Sequence, residues 1–265
     1  MSAQFRDVDH VNLIMPSIPS NDAEAVGLYA RGVDAALRQQ APGAAHHLSK
    51  AAERGHSGAM HELAHRAQTQ SDTTTAEDWF RRAASAGHSG AMFSLGTIAR
   101  ARSNASDAIM WLERSAAMGY LPAMVNRAAM AEQDGQLEVA LHWYIKAAEE
   151  HDTIATFNAG RVAATLGRRD EARVWLRRAS NAGNREAMDA LGILEARSGN
   201  FAVALDCLIS AAKSGEVDSM VNLGHLLEMN GQTLASWDWF RQAADAGDVE
   251  SQRRVARLPP RRDRL

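Results

Sequence analysis

The decapeptide "AAERGHSGAM" (51–60) returns as "AASAGHSGAM" at 83–92, 32 residues later. The same stretch of the period reads "SAAMGYLPAM" (115–124), "AAEEHDTIAT" (147–156), "ASNAGNREAM" (179–188), "AAKSGEVDSM" (211–220) and "AADAGDVESQ" (243–252), every step being 32 residues without insertion or deletion. A fixed period of this length marks a repeat architecture, because each unit is too small to bury its own apolar face and must stack on its neighbours.

One period divides into two helices. The first is expected to open at a small residue (Ala59, Ala91, Ala123, Ala155, Ala187, Ser219) and to run through a Leu-Gly-like pair such as Leu95-Gly96, Leu191-Gly192 or Leu223-Gly224. It ends near Gly135, Gly167, Gly199 and Gly231, with Ser71 and Ser103 in that slot in the earlier units. Glycine just past a helical run is the expected C-cap, since it accepts positive φ without a Cβ clash. The second helix carries a small residue (Ala76, Ala108, Ala140, Ala172, Ala204, Ser236). Three residues on comes Trp79, Trp111, Trp143, Trp175, then Cys207, then Trp239. Phe80, Leu112, Tyr144, Leu176, Leu208 and Phe240 follow directly, a helical spacing in which small residues let neighbouring backbones approach closely. A second glycine closes each unit, His151 being the exception. Residues 22–55 fit the period loosely and "VESQRRVARL" is half a unit, so the expectation over 22–258 is seven helix pairs and a capping helix. Residues 1–21 are expected to form a flexible N-terminal segment and 259–265 a basic tail.

Composition narrows the function classes. The chain has 265 residues, 46% apolar and 23% charged, with a net charge of −3, so it lacks the overall basic field that nucleic-acid binding uses. Cys207 is the single cysteine, which excludes an intrachain disulfide and a CxxC metal or redox pair. The opening "MSAQFRDVDHVNLIMPSIPS" has an early acidic residue and only a short apolar patch, unlike a signal peptide. No run approaches the ~18 apolar residues of a membrane span. A cytoplasmic protein with no nucleic-acid or membrane partner is the expectation.

The Leu-Gly pair, the central alanine, the aromatic or leucine after the tryptophan slot and the later alanine occur in the order of the tetratricopeptide superfamily. "WFRRAASAG", "WLRRASNAG" and "WFRQAADAG" are similar to the signature of its Sel-like repeat branch. The resemblance covers about residues 22–258, although Sel-like repeats are usually longer than 32 residues, with a looser segment between helices. It implies an all-α, right-handed superhelical solenoid of antiparallel helix pairs whose first helices line a concave side. It also implies a non-enzymatic scaffold or adaptor that grips a peptide or another protein, without a cofactor.

Against that background "HELAH" (61–65) has the spelling of a zinc-protease helix, with Glu62 in the general base's place. In register, however, Leu63-Ala64 is the Leu-Gly pair, and His61-Glu62 occupies the slots of Phe93-Ser94 and Phe157-Asn158. A catalytic zinc needs a third protein ligand, and the metzincin continuation meets Gln68 and Ser71 where it requires Gly and His. A zinc hydrolase using His61, Glu62 and His65 is the rival reading. The strict register of the tryptophans favours inter-helix core over a ligand-stacking ladder. "GHSG" at 55–58 and 87–90 is an inter-repeat turn, not a nucleophile elbow, and "RRVARLPPRRDRL" reads as a solvated cap and tail.

Asn126, Asn158 and Asn222 share one slot of the first helices, although asparagine is a poor residue for a helix interior. "VNRAAMAEQDG" (125–135) resembles the first helix of tetratricopeptide clamps, where an asparagine in this slot holds the backbone of a bound peptide. An amide that donates and accepts suits an extended peptide, and equally suits a bond to a neighbouring helix. Arg161 and His225 lie three residues beyond two of these asparagines, and Arg100 lies in the next slot along. The candidate partner-binding residues are therefore Phe93, Arg100, Asn126, Phe157, Asn158, Arg161, Asn222 and His225, with no catalytic or metal-ligating residue.

Overall fold

The computed structural model describes residues 22–38 and 41–257; the expectations for residues 1–21 and for the basic tail lie outside the described residues. Among the described residues there are fifteen α-helices and no strand. The chain divides after Asp134 into two compact units. The first holds α1 (Ala23–Leu37), α2 (Ala41–Glu53), α3 (Ser57–Thr69), α4 (Thr73–Ser85), α5 (Ser89–Ala101), α6 (Ala105–Ala117) and α7 (Leu121–Gln133). The second holds α8 (Leu137–Glu149), α9 (Thr153–Thr165), α10 (Arg169–Asn181), α11 (Arg185–Arg197), α12 (Phe201–Lys213), α13 (Val217–Met229), α14 (Thr233–Asp245) and α15 (Val249–Arg257). In each unit consecutive helices pack in sequence, which makes the fold an all-α helical repeat solenoid.

The links between helices are short because most helices end in a two-bond backbone cap. After α4, the Gly87 N–H bonds the Ala84 carbonyl at 3.0 Å and the His88 N–H bonds the Ala83 carbonyl at 3.0 Å. Gly87 sits at φ 82°, the left-handed conformation this cap requires. Ser71, Ser103 and His151, which replace glycine in the repeat, are held at φ 60–64° all the same. Stacking therefore imposes the turn against the residue's own preference.

First helices open two residues earlier than the apolar pattern predicts, at Ser57 and Ser89 rather than at Ala59 and Ala91. The reason lies in the residue before them. His56 and His88 accept the N–H of Ala59 and Ala91 through Nδ1, while Asp152 and Asn184 do the same for Ala155 and Ala187. These side chains satisfy donors that the first helical turn leaves unpaired.

The core of each repeat is a small-to-large interlock. Gly160 of α9 faces Leu176 of α10 so closely that a Cβ there would lie 2.7 Å from Leu176 Cγ and 2.9 Å from the Leu176 backbone nitrogen. In the first unit Leu48, Phe80, Ala83, Ala91 and Leu95 join α2, α4 and α5 in one apolar cluster, with Trp79 and Trp111 packed against it. The tryptophans are core rather than ladder: Trp143 is buried and Trp79, Trp111, Trp175 and Trp239 are half-buried. The cation three residues on lies over four of the rings: Arg82 over Trp79 (4.0 Å), Arg114 over Trp111 (5.0 Å), Lys146 over Trp143 (4.8 Å) and Arg178 over Trp175 (5.6 Å). Cys207, in the same slot, is half-buried, and burial raises its thiol above the usual range.

Candidate functional site

In the first unit α5 carries Phe93 and Arg100, both half-buried. The Phe93 ring lies 5.4 Å from that of Tyr120, the residue that opens α7. Asn126 sits on α7, one repeat along, but its amide donates to the Pro122 carbonyl of its own helix at 2.9 Å.

In the second unit α9 presents Phe157, Asn158 and Arg161, all half-buried. Arg161 Nη2 lies 3.5 Å from Asn158 Oδ1, the outer limit of a hydrogen bond, so the two polar groups share one spot. On α13, Asn222 donates to both carboxylate oxygens of Asp189 on α11, each at 3.1 Å. His225 is exposed, edge-on to Phe240 at 5.1 Å. The shared asparagine slot thus serves three different purposes. Asn222 ties neighbouring first helices, Asn126 bonds within its helix, and Asn158 stands beside a guanidinium.

Asp189 was not among the residues predicted from the sequence. Its signal was a lone acid in the slot that other repeats fill with His61, Phe93, Val125, Phe157 and Val221. Two buried charges carry the same kind of signal. Arg127, only 5% exposed, stands where Leu95, Leu191 and Leu223 stand in other repeats. Its Nε donates to Glu113 at 2.9 Å, while its buried Nη1 has no partner. Glu195, 1% exposed in an alanine slot, accepts Arg173 Nε and Asn200 Nδ2, each at 2.7 Å. Burial raises its carboxyl, and the Arg173 and Asn200 bonds outweigh that to hold it below the usual range.

HELAH has its own geometry. The Nε2 atoms of His61 and His65 lie 3.1 Å apart, and His61 stacks on His88 with ring centroids 4.3 Å apart. Burial raises the Glu62 carboxyl, with Arg66 opposing. Among the described residues no group of three or more His, Cys, Asp or Glu side chains gathers as a metal site requires.

The Sel1 repeat family model matches residues 25–56, 58–88, 90–120, 127–152, 169–184 and 217–248, more than half the chain. No curated protein matches the chain. Among solved structures, it resembles c5321, a protective antigen of uropathogenic Escherichia coli displaying an SLR fold. The TM-score is 0.67 at 19% identity over 87% of this chain, which spans 56% of that one. It also resembles YrrB, a TPR protein with an unusual peptide-binding site (TM-score 0.55, 16% identity, 68% of this chain and 98% of that one), and MamA (0.54, 16%, 64% and 98%). At these identities the likeness is one of fold.

Proposed function

The chain belongs to the Sel1 repeat family, and from that footing we propose that it is a non-catalytic adaptor that captures a peptide or protein segment on its first-helix faces. The observation that carries this reading is the chemistry of α9. Asn158 and Arg161 stand together, half-buried, beside the aromatic Phe157. An amide can read an extended backbone's N–H and C=O, and a guanidinium can take a carboxylate in two parallel bonds. Within the second unit α13, with Asn222 and His225, carries the same slots, and in the first unit α5, with Phe93 and Arg100, and α7, with Asn126, carry like groups in register. The second helices instead cover their tryptophans with their own cations, which leaves the first helices as the more available recognition face. YrrB, of like fold, has a peptide-binding site, which supports this reading. Capture proceeds by shape and hydrogen bonding with no covalent step.

Among the described residues no helix is long and apolar enough to cross a membrane. A cytoplasmic location is part of the same proposal. The expected result for Asn158→Ala with Arg161→Ala is a partner affinity lowered at least roughly 10-fold, since two hydrogen bonds, one charge-assisted, are lost. Circular dichroism and the melting temperature should stay unchanged. Partner binding at the wild-type level in that variant contradicts the assignment.

A further inference from the structure

Three histidines of the first unit are buried or nearly so, two of them in caps that only neutral rings can make, and a fourth joins them. His56 and His88, 2% and 6% exposed, cap α3 and α5: Nδ1 of each accepts a backbone N–H, from Ala59 at 3.2 Å and from Ala91 at 3.1 Å. A ring that accepts at Nδ1 carries its proton on Nε2 and is uncharged. His61 stacks on His88, the planes inclined by 25°. The 3.1 Å contact between His61 Nε2 and His65 Nε2 forms only while one nitrogen offers a lone pair. His56 stacks on Tyr29 of α1 at 4.3 Å, and His61 and His65 lie 5.8 Å and 5.2 Å from the Phe80 ring of α4. Two caps that require uncharged rings, with the ring contacts beside them, thus join α1, α3, α4 and the start of α5.

We propose that this imidazole array is a pH-sensitive latch: neutral rings hold α3 against α1 and α5, and mild acid releases them, opening the first helices of the N-terminal unit. It goes beyond the proposed binding role, because it concerns the state of the unit rather than what binds to it. The repeat itself shows how unusual the array is. Other units fill the His61 slot with Phe93 or Phe157, and cap the equivalent of α5 with Asn184, side chains that do not titrate.

Burial and the neighbouring imidazoles disfavour a charge on these rings. Burial first, then His88 and His65, push His61 down to about 2. Burial first, then His56 and His65, push His88 down to about 4, and burial lowers His56 as well. On α1 the facing group is Tyr29, whose phenol is raised by burial and by Glu62. From α2, Leu48, Ala51 and Ala52 enter the shared core, with His46, Lys50 and Glu53 exposed and His47 half-buried. On α4, Phe80 is apolar, Glu77 is engaged by Arg81 and Arg102, and Arg82 lies over Trp79. α5 contributes Arg100 at its far end, and α6 contributes the Ser115 hydroxyl, donating to the Ser89 carbonyl at 2.8 Å. On α3 itself stand Glu62 and Arg66.

Released imidazoles titrate near 6.5. The closed state is therefore favoured fully above pH 6.5 and loses that advantage as pH falls, through His88 toward pH 4 and through His61 toward pH 2. By pH 5 each of these two rings favours opening roughly 30-fold more than at neutral pH, about 1,000-fold for the pair. Glu62 works in the opposite sense, since its raised carboxyl takes up a proton more readily when closed, but it is one group against three imidazoles.

Hydrogen exchange on the full chain tests the latch, read as protection factors between pH 7.5 and 5. The amides of Ala59 and Ala91 should lose at least roughly 30-fold in protection relative to Ala187, whose Asn184 cap does not titrate. The variant His56→Asn with His61→Phe and His88→Asn should abolish that loss. Should the variant not fold, the wild-type imidazole resonances of His61 and His88 provide the second readout, and they should titrate together with the loss of protection. Protection at Ala59 and Ala91 that follows Ala187 throughout overturns the proposal. So does a loss that persists in the folded variant, or ring titration without any loss of protection.

Discussion

Gly160→Ala is expected to destabilise the second unit by about 2–3 kcal/mol in urea unfolding, whereas Gly27→Ala should be neutral or stabilising by up to about 1 kcal/mol. Both glycines lie inside helices, α9 and α1, where alanine is intrinsically the better residue. What separates them is the space a Cβ meets. At Gly27 nothing lies within 4 Å, so only the propensity gain remains. At Gly160 the new carbon meets Leu176 Cγ at 2.7 Å, Cδ2 at 2.8 Å and the backbone nitrogen at 2.9 Å. Leu176 is 1% exposed, and a backbone nitrogen yields only if α10 moves as a whole. Overpacking then exceeds propensity. Equal effects at the two positions would refute the close interlock of α9 and α10.

Arg127→Leu is expected to stabilise the chain by about 1–3 kcal/mol, a shift of several degrees in melting temperature. The guanidinium occupies a slot where Leu95, in the equivalent place on α5, is 4% exposed and packs in an apolar cluster. Burying it desolvates a charge, and its Nη1 is buried without a partner. The single ion pair to Glu113 offsets only part of that cost, because the Glu113 side chain is 44% exposed and regains water when released. Leucine removes the buried charge and restores the repeat's own packing residue. An unchanged or lowered midpoint of urea unfolding would mean that the ion pair outweighs its desolvation.

The helix pairs could be read from the sequence because the 32-residue period records packing. A slot that is always small, or always Leu, Phe or Tyr, has the same neighbour in every unit. Helix starts were less legible, since capping by His56, His88, Asp152 and Asn184 leaves no trace in the apolar pattern. The site divides in the same way. The asparagine slot and its first-helix face were evident from register, but the bond each amide makes depends on a single residue elsewhere. For Asn222 that residue is Asp189, 33 positions away. Register places the HELAH pentapeptide in the repeat, but not the stacked partner of His61, His88, which stands on the next repeat. Departures from the repeat were the better guide. Arg127 in a leucine slot, Glu195 in an alanine slot and His61 in a phenylalanine slot each mark a place where the structure builds something specific.

The central claim, that partners bind on the first-helix faces, is tested most directly by site-specific photo-crosslinking in the second unit. A benzophenone side chain replaces Phe157 on α9 or, in a separate protein, Val174 on α10, which is 64% exposed. A covalent adduct with the same partner from position 157 and none from 174 is the predicted result. Crosslinking from 174 and not from 157 would contradict it and move recognition to the second helices.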